Sequence, residues 1–126
     1  MKVAIVGGGP SGLYLGILPK RRAPGWTVEV VEQNAADATF GFGVVLADTG
    51  LQQLRDADPR SCEAMVAAMR WNTSQAIVQA ETPIVVGRST KGGAVARLDL
   101  LAVLQAQAAE VGVRVHFGRR IAHVAD

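Results

Sequence analysis

The 126 residues carry 13 Lys and Arg against 11 Asp and Glu, a net charge of +2, and 49% of them are apolar. That balance describes one globular core rather than a disordered tail, and the short clusters Lys20-Arg21-Arg22 and Arg119-Arg120 read as solvated surface rather than a nucleic-acid footprint. The single cysteine, Cys62, excludes an intrachain disulfide. With His116 and His123 the only histidines and no CxxC, no metal site is expected. No signal-peptide pattern opens the sequence and no apolar run reaches ~18 residues, so a cytoplasmic protein without membrane contact is expected.

In chain order, residues 2–6 (KVAIV) form a short β-rich run that stops at glycine, the pattern of a buried parallel strand. Residues 10–18 predict a helix ending or bending at about Leu18, because Pro19 removes a backbone donor and crowds the preceding turn. Lys20–Gly25 is then a basic turn, and residues 26–31 (WTVEVV) a second strand reaching Glu32. Residues 33–47 read as loop, with Phe40 and Phe42 expected to pack beneath a Gly-rich segment.

Helices are predicted over 48–56 and 60–70, split at Asp58-Pro59, and strands over 71–79 and 84–88. A Gly-rich turn is predicted over 89–94. The spacing of Leu100, Leu101, Leu104, Ala108 and Val111 predicts a long helix over 97–111, stopped by Gly112. Val113, Val115 and Phe117 alternate as a strand, and 119–125 could begin another. The fold class is therefore α/β: a Rossmann-like βαβ unit with a parallel sheet and a small mixed α+β insertion at about 48–94.

Chemistry concentrates at Gly7-Gly8-Gly9-Pro10-Ser11-Gly12, a G-x-G-x-x-G that directly follows a strand and opens a helix. In that context Gly7 permits the tight turn, Gly9 lets a pyrophosphate approach the backbone, and Gly12 lets helix and strand pack closely. The helix N-terminus offers free N–H groups and partial positive charge to the phosphates. Glu32 ends the second strand, where a carboxylate can accept both hydroxyls of an adenosine ribose and opposes a 2′-phosphate. These residues alone leave FAD and NAD both open.

The stretch Gly7 to Leu13 (GGGPSGL) resembles the opening of FAD-binding oxidoreductases. Asp37 to Asp48 (DATFGFGVVLAD) is similar to the corresponding loop of the aromatic acyl-CoA hydroxylases, of the salicylyl-CoA 5-hydroxylase and 2-aminobenzoyl-CoA monooxygenase type. Arg97-Leu98-Asp99-Leu100 resembles the R-x-D-L helix start of the wider FAD-dependent aromatic hydroxylase family. The resemblance covers the whole chain as that family's N-terminal part, so 1–126 is expected to be an incomplete FAD-binding segment.

It implies that Gly7, Gly9, Ser11 and Gly12 hold the FAD pyrophosphate and Glu32 the ribose. It also implies that Gly43 and Val44 lie near the flavin and that Arg97 reaches the ribityl-pyrophosphate region. The activity implied is hydroxylation of a small aromatic substrate with NAD(P)H and O₂. No catalytic acid or base is assigned, and His116 and His123 are expected to pack or face solvent. The sequence departs from the family in having Gln33 after the acid, no arginine between Arg22 and Arg55, and no later Gly-Asp motif.

Two other readings stay open, an NAD-dependent dehydrogenase domain and a truncated, non-catalytic flavin fold. The expected partners beyond substrate are the remainder of the same protein or further copies of it. If sheet remains to be added after Asp126, the isolated chain exposes apolar surface.

Overall fold

The structure, a computed structural model, describes residues 1–123, without the side chains of 72–76 and 86–91. Two strands, β1 (Lys2–Val6) and β2 (Thr27–Val31), flank the helix α1 (Pro10–Arg22). After a loop, β3 (Gly43–Ala47), α2 (Asp48–Ala57), α3 (Pro59–Ala67), β4 (Arg70–Gln79) and β5 (Thr82–Ala96) follow. The helix α4 (Arg97–Glu110) and the strand β6 (Arg114–His116) complete the described order.

The first sheet is parallel, in the order β1-β2-β6, with Ile5 opposite Val30 and Val30 opposite Val115. The expected parallel arrangement is thus present, with β2 central. Its alternation sends Val28 and Val30 to one face, where they are 1% and 0% exposed beneath α1 and α4. Leu13 and Ile17 of α1 and Leu100, Leu104 and Ala108 of α4 close that layer. Each fully buried Leu or Ile contributes roughly 1.5–3 kcal/mol of burial energy, so this layer is the main source of cohesion in the first unit. At the end of α4, Gly112 takes φ +80° just past the C-cap Val111, which stops the helix and turns it into β6.

The second sheet is antiparallel, in the order β3-β5-β4. Two expectations fail here. The segment Gly43–Ala47 is a strand rather than loop, because a side chain at Gly43 would stand 2.9 Å from the Val95 carbonyl; glycine allows the close pairing with β5. The supposed turn at 89–94 is the middle of β5. Gly93 passes so close to β4 that a Cβ would stand 2.9 Å from the Arg70 carbonyl and 2.8 Å from Met69 Cε. The break expected between the strands 71–79 and 84–88 is present: the chain reverses at Ala80 and Glu81, both at positive φ, in a two-residue hairpin loop closed by the Gln79–Thr82 pair. Of the last expected strand, 119–123 is irregular and 124–125 lie outside the described residues.

The largest correction concerns Pro19. The first helix does not stop at Leu18; it runs to Arg22, and the turn begins only at Ala23. The last turn is anchored from outside the helix. Arg21 Nε meets the buried Asp58 carboxylate at 3.2 Å and Arg21 Nη2 donates to Gln107 Oε1 at 2.7 Å. Lys20 Nζ donates to the carbonyls of Pro24 (2.6 Å) and Trp26 (3.1 Å). The Pro19 carbonyl still accepts from Ala23 N–H at 2.8 Å, so only the donor on its N-terminal side is missing.

That missing donor and the crowding of the Leu15 carbonyl remain a cost. Pro19→Ala should therefore raise unfolding stability by about 2 kcal/mol, after allowing for the looser unfolded chain. Urea denaturation checks this, and an unchanged or lowered midpoint would mean that the helix relieves Pro19 locally.

Candidate dinucleotide site

β1 ends at Val6, and Gly7 turns the chain at φ +107° while its N–H donates to the Val31 carbonyl at 2.8 Å. Helix α1 starts immediately. A Cβ at Gly12 would lie 1.9 Å from the Gly7 carbonyl oxygen, so no side chain fits there. Gly9, the N-cap, has open space on its Cβ side, offers no side-chain cap, and no acid stands in the first turn of α1. The helix end therefore presents its backbone donors and positive dipole end uncompensated by any acid of the helix, which suits an anion.

Glu32 follows β2 and reaches back over this turn. Its Oε2 accepts from Gly8 N–H at 2.7 Å. Its Oε1 accepts from both the backbone N–H and the side-chain Nδ2 of Asn34, at 2.8 and 2.7 Å. Burial pushes its pKa upward and is the largest single effect. The donors of Asn34 and Gly8, with a smaller contribution from Gln33 N–H, outweigh burial and hold the carboxyl below its ordinary value. Gly8 makes this seat possible, since a Cβ there would stand 2.7 Å from Glu32 Cβ.

Glu32, Gly8, Gly9, Asn34, Thr39 and Arg97 border one small cavity of about 80 Å³. A wider, separate groove of about 410 Å³ also has Arg97 in its lining, with Ser11, Tyr14, Val44 and Leu100. Arg97 opens α4, its N–H held by the Phe42 carbonyl at 3.2 Å, and borders both spaces. Two buried polar atoms here, Arg97 Nε and Thr39 Oγ1, have no protein partner. A buried donor left unpaired costs about 1–3 kcal/mol, so the pair fits a site that an acceptor-rich ligand completes. Tyr14 borders the groove and donates to the Leu54 carbonyl at 3.2 Å; burial first, then the nearby Asp58 charge, raises its pKa.

The expected residues thus fall into three groups. Gly9, Glu32, Ser11, Val44 and Arg97 border one or both of the two spaces, whereas Gly7 and Gly12 shape the turn beside them. Gly43 borders neither and is occupied with strand packing. The expected burial of Phe40 and Phe42 is wrong: they are 76% and 101% exposed, because Gly41 at φ +101° turns the loop outward. Sequence reasoning missed Gly8, Asn34 and Thr39. The run of three glycines and an amide two residues past the acid were the available signals.

His116 pairs with Glu29 at 3.1 Å on the opposite face of the sheet. Cys62 is buried against the Leu51 carbonyl. Among the described residues no His, Cys, Asp and Glu cluster could hold a metal, and no helix is long and apolar enough to cross a membrane.

A glycine turn between strand and helix, with a carboxylate at the end of the next strand and an antiparallel sheet following, defines the dinucleotide-binding fold of FAD-dependent monooxygenases. No family model matches the chain. It is 42% identical over 118 residues to a salicyloyl-CoA 5-hydroxylase of Streptomyces sp, covering 93% of this chain and 22% of that protein. It is 29% identical over 119 residues to a 3-hydroxy-4-methyl-anthranilyl-[aryl-carrier protein] 5-monooxygenase of Streptosporangium sibiricum, covering 94% of this chain and 33% of that one.

Among solved structures, the tetrameric form of 2-methyl-3-hydroxypyridine-5-carboxylic acid oxygenase superposes with a TM-score of 0.78 at 20% identity, over 93% of this chain and 31% of its own. CtdE, solved with FAD and substrate, gives 0.74 at 18% identity, over 95% and 30%. Over the region it spans, the chain is similar in sequence to these curated monooxygenases and shares its fold with the solved ones. It spans between about a fifth and a third of the length of these curated relatives.

The carboxylate seat generates a prediction. Because the folded pKa of Glu32 is lowered, its charge adds stability above the unfolded value of about 4.3, and this is lost as pH falls through the folded pKa. Glu32→Gln presents an amide N–H to groups that are themselves donors. It should cost about 1 kcal/mol at neutral pH, a gap that closes in acid. Denaturation midpoints of both proteins across pH 3 to 7 measure it, and a constant gap would mean that the ionised form has no special seat.

Proposed function

We propose that this chain is the FAD-binding portion of a flavin-dependent monooxygenase that hydroxylates an aromatic ring, with NADH or NADPH as electron donor and O₂ as oxidant. The observation that carries the reading is the convergence of Gly9 at the α1 N-terminus, Glu32 and Arg97, whose Nε is unpartnered, on one cavity. The likeness to a salicyloyl-CoA hydroxylase supports it and points to an aromatic acyl thioester as the substrate class.

When bound, FAD supplies the redox chemistry, and this chain's residues bind and orient it. In this reading Gly7, Gly9, Ser11 and Gly12 form the pyrophosphate cradle, through backbone donors and absent side chains. Glu32 accepts from the adenosine ribose. Arg97 brings a permanent charge and several donors to the phosphate and ribityl side, with Val44 as an apolar wall and Gly43 fixing that wall's strand. Residues 1–126 act as one cofactor-binding segment, with the mixed insertion at about 48–94 contributing β3 and the groove wall. A single buried thiol fits a reducing cytoplasmic setting.

The reading also includes more sheet than the described residues hold. β1 pairs only with β2 among them, and on the face away from α1 and α4 Ala4 and Val6 stand exposed, Val6 at 69%. Parallel sheets bury both faces and both flanks, so further parts of the same protein, or another copy, are the proposed cover.

Titration of the 126-residue chain with FAD and with ADP, followed by flavin fluorescence and calorimetry, tests the proposal. Both ligands should bind, with FAD held weakly, and Glu32→Ala should weaken ADP by roughly 1–3 kcal/mol. Without the parts that the relatives have in addition, no NAD(P)H-dependent hydroxylation is expected. Failure of both ligands to bind at millimolar concentration would overturn the cofactor site; turnover by the 126 residues alone would overturn the reading as a binding portion.

A further inference from the structure

The expected two-hydroxyl grip of Glu32 on a ribose meets an obstacle in the observed hydrogen bonds. A carboxylate offers about four lone-pair sites, two on each oxygen. Oε1 of Glu32 already accepts twice, from Asn34 N–H at 2.8 Å and Asn34 Nδ2 at 2.7 Å. Oε2 accepts once, from Gly8 N–H at 2.7 Å. Beyond these three bonds the Gln33 N–H acts on the carboxylate only weakly, so the one acceptor site left open by the strong donors is on Oε2. Glu32 and Asn34 border the same cavity as Gly8 and Gly9, so this arrangement faces the space the ligand would fill.

The arrangement is also hard to shift. Gly8 lies against the Glu32 side chain so tightly that a Cβ would stand 2.7 Å from Glu32 Cβ, and the Glu32 backbone is pinned on both sides. Its N–H donates to the His116 carbonyl at 2.8 Å and its carbonyl accepts from Arg119 N–H at 2.9 Å. The Asn34 carbonyl accepts from Gly118 N–H at 3.0 Å. The carboxylate therefore has little room to rotate, and the Asn34 side chain is the one movable member of the set.

We propose that Asn34 is a positioning and specificity-determining residue: by saturating Glu32 Oε1 it leaves a single acceptor, Oε2, and makes ribose recognition a contact to one hydroxyl rather than two. The inference rests on the reading of Glu32 as the ribose acceptor. It adds that the two hydroxyls of the bound ribose are unequal, and that the Asn34 amide is the cause. Removing that amide frees one site on Oε1, and the carboxylate can then accept from both hydroxyls.

The test uses the 126-residue chain with ADP, 2′-deoxy-ADP and 3′-deoxy-ADP as probes, measured by calorimetry at one salt concentration. With the natural residue, one deoxy analogue should bind within about twofold of ADP and the other about tenfold more weakly, the loss expected for one hydrogen bond to a charged acceptor. Asn34→Ala should bring the two analogues to within about threefold of each other. Asn34→Leu keeps the approximate size but not the side-chain donor, so it should lose the discrimination as well.

Both variants retain the backbone bonds of residue 34, and circular dichroism verifies that they fold. Equal weakening of both analogues by the natural protein would overturn the proposal, as would discrimination that survives in Asn34→Leu. If Glu32→Ala leaves ADP affinity unchanged, the underlying assignment of Glu32 fails, and that outcome is separate from the other two.

Discussion

The site depends on one close approach. Gly12 sits over the Gly7 carbonyl oxygen at a distance where a Cβ would be only 1.9 Å away. No rotamer relieves a clash with backbone at that range, so any side chain would push α1 off the end of β1. With glycine there, the first turn of α1 lands directly beyond the sheet, and its free N–H groups point out of the strand ends. The same tight turn puts Gly8 beneath Glu32, and the Gly8 N–H then fixes one carboxylate oxygen. The open helix end and the held carboxylate are thus two results of a single packing constraint.

Packing on the other side of α1 holds that geometry in place. Leu13 and Ile17 are fully buried, and Gly16 rests against Val30 and Val113, so the helix is locked against β2 and the entry to β6. The Arg21–Asp58 pair ties the far end of α1 to α3, and Gln107 ties it to α4. Asp58 is 5% exposed and also accepts from Ser61 Oγ at 2.5 Å, so its charge has two partners rather than one. Losing Arg21 would leave a buried carboxylate with only a hydroxyl, which is why the helix is held through Pro19 rather than ending before it.

The parts legible in the sequence were those set by local period and spacing. KVAIV before glycine, the helical spacing of Leu100, Leu104 and Ala108, and Glu32 at the end of a strand all carry their meaning within a short window. What was not legible depends on residues distant in the chain. Gly43 and Gly93 read as loop glycines, yet each is there because a second strand passes within contact distance. Pro19 reads as a stop, yet Asp58 and Gln107 extend the helix past it. Thr39 carries no periodic signal, and only the folded chain brings it to the cavity with Arg97; Asn34 is near Glu32 in sequence, but its role shows only once Gly8 has fixed the carboxylate.

Two carboxylates near the end of β2 show why one of them suits a ligand and the other does not. Glu29 faces the open side of the sheet, where Arg114 is its counter-charge and His116 its hydrogen-bond partner across the β2–β6 pairing. The His116 hydrogen bond, more than the Arg114 charge, lowers its pKa. Glu32 is held by neutral donors, the N–H groups of Gly8 and Asn34 and the Asn34 amide. Such donors stabilise the ionised form without cancelling its charge. Glu32 therefore keeps a negative field at the cavity, which attracts hydrogen-bond donors and repels anions. Substituting a cation for any of its present donors would keep the carboxylate ionised but erase that preference. Stabilising an ion with dipoles rather than a counter-charge is what leaves it able to choose its ligand.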